Sequence, residues 1–303
     1  MTQHSHEHGH DAPHHHGRSH HLHFDTPEMA AYAELEAEVL EPLLRKSISV
    51  LAEHLSADGV QVHRVLDIGS GPGVGTCRLA ERFGAATVVA VDGSAVMLER
   101  ATARATRLGI ADRVGTCVGQ LPDVLDSLDP AEVVWASLVL HHVGDEAGAL
   151  RRIQALLEPG GMLALVEKAD PVRVVPGDLE RSRADLWERF ETAWGTWFDE
   201  MRAELPGATA SADYSEMVVG AGFEVVVDDV VSLDLPAPLD DQARRFAVQQ
   251  LRRTRAELAD RVDVSDLQAL DELIGEGGDG GIVLDDGAVI RASRRFILAR
   301  ALP

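Results

Sequence analysis

Between residues 63 and 168, short runs rich in Val, Ala and Leu alternate with stretches of helical periodicity, and this rhythm limits the possible folds more than any other feature of the chain. The runs near 63–68, 86–91, 113–118, 131–136 and 161–168 read as strands, with helices at 74–83, 94–108 and 146–157 between them. Such continuously apolar strands need cover on both faces, which a parallel sheet with crossover helices supplies. The segment therefore predicts a doubly wound α/β core. In Glu158-Pro159-Gly160-Gly161 the proline and first glycine suit the two central positions of a turn leading into the fifth strand.

Flanking segments follow other patterns. Thr26-Pro27 reads as a helix cap followed by proline at the first helical position. Tyr32, Leu35, Val39, Leu43, Leu44, Ile48, Leu51 and Leu55 then form an apolar stripe that Pro42 breaks or restarts. After Lys168 helices are predicted over 178–204 and, as one long helix, over 239–274, with strands over 222–233 and 288–300 and a Gly-rich loop at 275–281. The expected organisation is a tail (1–23), an N-terminal helical cover (24–58), the α/β core (59–170), and helical insertions with the last two strands (171–303).

With 303 residues the chain suits one α/β domain with insertions, and its 50 acidic against 28 basic side chains give a formal charge of −22. That sign repels phosphate, so neither nucleic acid nor an anionic membrane is an expected partner. Only Lys46 and Lys168 among the cations are lysines, which reads as compositional bias. Cys77 and Cys117 build no disulfide framework and are expected to be small core fillers. No run approaches the roughly 18 apolar residues of a membrane span, and residues 1–30 lack the apolar stretch of a signal peptide, so a soluble cytoplasmic protein is expected. Residues 1–23 hold ten of the fourteen histidines with almost no apolar side chains. They read as a disordered tail with affinity for a divalent metal.

Val65-Leu66-Asp67-Ile68-Gly69-Ser70-Gly71-Pro72-Gly73 ends a predicted strand and opens a helix. Alternate glycines allow a tight turn in which backbone N–H groups approach a ligand. The dinucleotide register G-x-G-x-x-G fails from either start, since its sixth position is Val74 or Thr76. Asp67 would repel a pyrophosphate and attract an ammonium group. The next strand ends in Val91-Asp92-Gly93, where an acid can accept from both hydroxyls of a ribose. Ser94 is a good cap for the following helix, Met97 is placed to lie against an adenine, and Gln120 and Leu121 follow the third strand, where Gln120 is placed to meet the adenine amino group.

Taken in order, D-I-G-S-G-P-G, V-D-G-S-A-V-M-L, V-V-W-A-S-L-V-L-H-H-V and L-L-E-P-G-G-M-L-A-L-V-E resemble the class I S-adenosylmethionine-dependent methyltransferases, particularly the bacterial small-molecule type. The resemblance covers about residues 60–170. It implies a Rossmann-like seven-stranded sheet whose last strand is antiparallel, with an acceptor lid after the fifth strand. It also implies S-adenosyl-L-methionine as cofactor, with Asp67, Gly69, Ser70, Gly71 and Gly73 beside its methionine moiety and Asp92 on its ribose. Gly93, Met97, Gln120, Leu121 and Ser137 complete the expected cofactor site, although the family often has Asp where Gln120 stands.

Methyl transfer from a sulfonium needs no protein nucleophile, but a hydroxyl or protonated amine must lose a proton. His141 and His142 follow the fourth strand at the sheet's carboxyl edge and are the candidate bases, with His141 preferred because it resembles the base of some O-methyltransferases. Trp187, Phe190, Trp194, Trp197 and Phe198 form a stripe that serves core packing or an acceptor wall. Arg244, Arg245, Arg252, Arg253 and Arg255 read as a solvated face. The expected activity is methylation of a small apolar or aromatic acceptor at oxygen or nitrogen. The alternatives are a metal-handling or sensory protein using the histidine tail, and a nicotinamide-dependent dehydrogenase.

Overall fold

A computed structural model describes residues 26–175, 184–208, 213–274 and 287–302. The histidine tail and the Gly-rich segment from 275 lie outside them. Helices α1 (Pro27–Val39) and α2 (Glu41–Ala57) come first. Thr26 caps α1 by accepting from the Met29 N–H at 3.2 Å, and the break falls at Leu40, two residues before Pro42.

The core follows as β1 (Arg64–Ile68), α3 (Val74–Arg82), β2 (Thr87–Asp92), α4 (Ala95–Arg107), β3 (Val114–Val118), β4 (Ala131–Ser137), α5 (Glu146–Leu156) and β5 (Leu157–Val175). The remainder comprises α6 (Ala184–Ala203), α7 (Tyr214–Gly220), β6 (Phe223–Leu235), α8 (Asp241–Glu257), α9 (Val264–Ile274) and β7 (Val289–Ala301). The seven strands form one sheet in the order β3-β2-β1-β4-β5-β7-β6, with β7 antiparallel to both neighbours. This is the doubly wound, Rossmann-like sheet that the sequence predicts.

Alternation along the strands sends side chains to two cores. Val65, Val133, Trp135, Met162 and Ala164 join the side covered by α2, α6 and α8, whereas Leu66, Val134, Ala136, Leu163 and Leu165 join the side covered by α5 and α7. The order reverses between β1 and β4, so their carboxyl ends part at a switch point where open α/β sheets take their ligands. Asp67 falls on the first face, beside Trp135 of β4.

Two expectations need correction, and a third, left between two roles, takes both. β5 does not stop at Lys168: Arg173, Val174 and Val175 pair with Arg291, Ile290 and Val289 beyond two register shifts. β-Branched residues facing a long antiparallel partner prolong the strand where the parallel neighbour has ended. The helix expected over 239–274 is two, α8 and α9, interrupted at 258–263 after the fully buried Leu258. The aromatic stripe on α6 divides, with Trp187 and Phe190 buried in the core and Trp194, Trp197 and Phe198 lining a cavity.

The cover helix α1 is tied to the core by charge. Glu34 bonds Arg100 at 2.6 Å and Arg104 at 2.8 Å, and Glu38 also reaches Arg104, whose guanidinium is buried. At the start of α3, Gly73 adopts φ +78°, and a Cβ there would lie 2.5 Å from the Ala101 Cβ and 2.7 Å from its Cα on α4. Gly73→Ala is therefore expected to destabilise the chain by about 2–4 kcal/mol in urea denaturation, combining left-handed strain with overpacking. Gly71→Ala, whose Cβ meets nothing within 4 Å, is expected to cost only the strain, about 1–2 kcal/mol. Equal losses would show that the Gly73–Ala101 approach does not constrain the fold.

Candidate functional site

Strands β1, β2 and β4 deliver three loops to the switch point, and together they wall a cavity of about 610 Å³, within the range of small-molecule sites. The first loop is internally satisfied. Gly69 and Ser70 N–H groups donate to the Val91 carbonyl at 2.8 and 3.0 Å, Gly73 N–H to the Ser70 carbonyl at 3.2 Å, and Gly71 N–H to Asp92 Oδ2 at 2.8 Å. The sequence reading placed these donors on a ligand; the structure spends them on β2 and the loop itself. A loop whose own donors are committed in this way offers few of them to a pyrophosphate.

What the walls do present is carboxylate. Asp67 is buried and accepts from Thr76 Oγ1 at 2.5 Å. Burial pushes its carboxyl up to about 7, against the pull of the Thr76 hydrogen bond, and the nearby Asp92 charge adds to the rise. Asp92 accepts from Gly71 and from Ser94 N–H at 2.9 Å, which fixes its orientation at the end of β2. Gln120 lies over Gly93 so closely that a Cβ there would meet its amide at 2.5 Å. Ser94 caps α4 on Met97 N–H at 3.4 Å, and Met97 is buried on the cavity wall.

The loop after β4 turns sharply. Leu138 is the one non-glycine residue with positive φ (55°) among those described, a strained conformation at a ligand edge. Its turn lays Val139 over Gly69, where a Cβ would meet Val139 Cγ2 at 2.3 Å. A short 3-10 turn, Leu140–His142, then seats the two histidines. Buried His141 places Nδ1 2.6 Å from Glu167 Oε2, and Glu167 Oε1 accepts the Leu140 N–H at 2.8 Å. Glu167, on β5, went unnoticed in the sequence because it reads as the end of a strand. His142 lies against His141 with ring centroids 4.0 Å apart, and burial, helped by the charges of His141 and Lys168, lowers its pKa to about 2. The same burial favours the neutral imidazole of His142.

Asp67, Gly69, Ser70, Gly71, Asp92, Gly93, Met97, Gln120, Leu121, Ser137, His141 and His142 all line this one cavity. Gly73 does not, and serves helix packing instead. The rest of the cavity joins Trp194 and Phe198 of α6, which the sequence offered as an acceptor wall, to residues that the sequence reading left out or placed elsewhere: Tyr32 and Glu36 of α1, Lys168 of β5, Arg253 of α8 and Arg294 of β7. Arg253, expected on a solvated face, instead lies over the Tyr32 ring at 5.1 Å and bonds Glu257 at 2.6 Å, while Arg255 pairs with Asp271.

The residues suit S-adenosyl-L-methionine, which carries a sulfonium, an ammonium and ribose hydroxyls. Two acids stand on the wall, the buried Ser70 Oγ has no hydrogen-bond partner, and the space over Gly71 is open to 4 Å. An acceptor-rich wall of this kind favours a cationic, hydroxyl-bearing ligand over a dinucleotide. Among the described residues no group of His, Cys, Asp and Glu is arranged to hold a metal, and no helix is long and apolar enough to cross a membrane.

Comparison with known proteins agrees with this geometry. Residues 65–161 match a family model described as a methyltransferase domain. The chain is 34% identical over 139 residues to a trans-aconitate 2-methyltransferase of Methylobacterium radiotolerans, covering 45% of this chain and 47% of that protein. It is 36% identical over 119 residues to a malonyl-[acyl-carrier protein] O-methyltransferase of Halorhodospira halophila, covering 39% of each. The matches thus span about half the length of these relatives or less. Among solved structures the YcgJ protein of Bacillus subtilis superposes with a TM-score of 0.51 at 17% identity, covering 85% of this chain and 99% of that one, which agrees in fold. Residues 65–161 therefore carry the likeness of a methyltransferase domain, set in a sheet whose fold agrees with it.

Proposed function

We propose that this protein transfers a methyl group from S-adenosyl-L-methionine to an oxygen or nitrogen of a small acceptor with an aromatic or otherwise planar body. The observation that carries the reading is the buried His141–Glu167 pair, at 2.6 Å, on the wall of a cavity that also holds Asp67 and Asp92. Bound cofactor would supply an electrophilic methyl group on a sulfonium. Asp67 would attract the cofactor's cationic end, Asp92 would accept from its ribose hydroxyls, and Met97, Gln120 and Leu121 would flank its base.

His141 serves as the proton acceptor. With Nδ1 donating to Glu167, the imidazole is held as the tautomer whose Nε2 carries the lone pair. Glu167 acts through His141 as a positioning residue, and it is itself fixed by the Leu140 N–H. Trp194 and Phe198, stacked at 5.1 Å with planes 17° apart, offer the acceptor a flat apolar wall that excludes water.

The reading is tested first by calorimetric titration with S-adenosyl-L-methionine and its demethylated product. Asp92→Ala is expected to weaken both about tenfold or more, and absence of binding to the wild type would refute the reading. Once a transfer screen over hydroxyl- and amine-bearing acceptors has given a substrate, His141→Ala is expected to lower kcat by about 10²–10⁴ with cofactor affinity unchanged. An unaltered kcat would remove His141 from the chemistry.

Asp67 makes a pH-dependent prediction. Its folded pKa of about 7 lies above the ordinary 3.8, so between these values the folded chain binds more protons than the unfolded one and stability falls as pH rises. Asp67→Asn is expected to raise cofactor-free stability near pH 8 by roughly 2–4 kcal/mol in urea denaturation. It is also expected to weaken cofactor binding and to abolish the rise in wild-type affinity as Asp67 ionises from about pH 6 to 7.5. No gain in stability would show that Asp67 is not buried at a cost.

A further inference from the structure

The end of the cavity away from Asp67 and Asp92 has a charge balance of its own. Three cations reach it, namely Lys168, Arg253 and Arg294. Arg253 is neutralised by Glu257 at 2.6 Å, and the buried Arg294 by Glu36 at 3.2 Å while it also donates to the Ser293 carbonyl. Lys168 has no carboxylate within ion-pair distance among the described residues. Its Nζ lies over the rings of Trp194 at 5.2 Å and Phe198 at 6.0 Å. Asp170 and Glu204 also line the cavity, but both are exposed, and Asp170 Oδ2 accepts from Ser293 Oγ at 2.7 Å. Two guanidiniums are offset by two carboxylates, and one ammonium is left against an aromatic wall.

We infer that Lys168 is the anchor for a carboxylate on the acceptor, so that the acceptors are small, planar monocarboxylic acids lying on Trp194 and Phe198. The inference rests on the methyl-transfer reading for its word "acceptor" and adds the substrate class and the residue that selects it. A single ammonium, already desolvated by the cavity, is matched by a single negative charge, whereas a dianion would leave one charge buried and unpaired. The planar wall fits a conjugated body, and cation–π contact holds the ammonium in place until the acid arrives. The residue type adds a second argument. In a chain with 26 arginines and two lysines, a lysine here is a compact point charge on a flexible stem, suited to an acid whose orientation the wall already sets. Burial also depresses the Lys168 pKa, and a bound carboxylate would reverse that cost.

The test uses the full chain and a matched pair of probes, 2-naphthoate and its uncharged amide 2-naphthamide, with binding read by quenching of tryptophan fluorescence. The wild type is expected to bind the acid about tenfold or more tightly than the amide. Lys168→Met should bring the two within about twofold by weakening the acid alone, Lys168→Arg should restore the preference, and calorimetric binding of S-adenosyl-L-methionine should be the same in all. Lys168→Gln repeats the comparison should the Met variant fail to fold. Equal affinities in the wild type, a preference that survives Lys168→Met, or no quenching by either probe would overturn the inference. The two readings fail separately. A chain that selects the acid through Lys168 but neither binds cofactor nor transfers methyl keeps the anchor and loses the activity, whereas one that methylates neutral acceptors and ignores the acid does the opposite.

Discussion

The burial of one carboxylate, Asp67, governs how the rest of the site is arranged. It sits on β1 in the strand pattern that elsewhere supplies Val65 and Leu66, so the fold forces an acid into the layer that holds the apolar core. Burial there raises its pKa to about 7, and among the described residues Thr76 is its one side-chain hydrogen-bond partner. Such a group is a cost until a cation meets it. The glycine loop complements this by withdrawing its N–H groups onto Val91 and Asp92, leaving a wall rich in acceptors. Cofactor choice in this fold is therefore electrostatic, since the same strand–turn–helix geometry with its donors turned outward would suit phosphate.

The second half of the cavity depends on the sheet's antiparallel edge. β5 outruns β4 because β7 gives it a partner as far as Val175, and the extension carries Lys168 past Glu167, the partner of His141. β7 brings Arg294 opposite Lys168 in register. Helices α1, α6 and α8 close over these residues, α1 being fixed to α4 by Glu34, Glu38, Arg100 and Arg104. Because these are buried or half-buried ion pairs, their value lies in specifying where the cover sits; surface pairs of the same kind would contribute little.

The core was legible in the sequence for a physical reason. Parallel strands covered on both faces must be short and apolar, and the loops at their carboxyl ends carry glycine and acid in fixed order, so β1 to β4 and the residues at their ends could be read locally. The acceptor end could not. Glu167 and Lys168 look like the polar end of a strand, Arg253 looks like one of several surface arginines, and Tyr32 looks like part of an amphipathic stripe. They meet only because β7 pairs with β5 and α8 packs on α1, and both depend on pairing across more than a hundred residues. The break at 258–263 was hidden similarly, since Leu258 continues the apolar periodicity while in fact capping α8. The scarcity of lysine was the one local signal available, and only the place of Lys168 on the cavity wall gives it meaning.

The polarity of the cavity also bears on how an acidic protein admits an acid. A formal charge of −22 opposes an approaching anion, but in physiological salt that field decays over about 8 Å, so the exposed carboxylates act weakly at the cavity floor. Inside, solvent screening is lost and the nearest charges dominate. On the proposed reading, acids beside the cofactor and an ammonium beside the acceptor would draw the two ligands to different parts of one chamber. In the proposed reaction His141 would then have the single task of removing a proton, and Glu167, buried with it, the task of holding the ring while it does so.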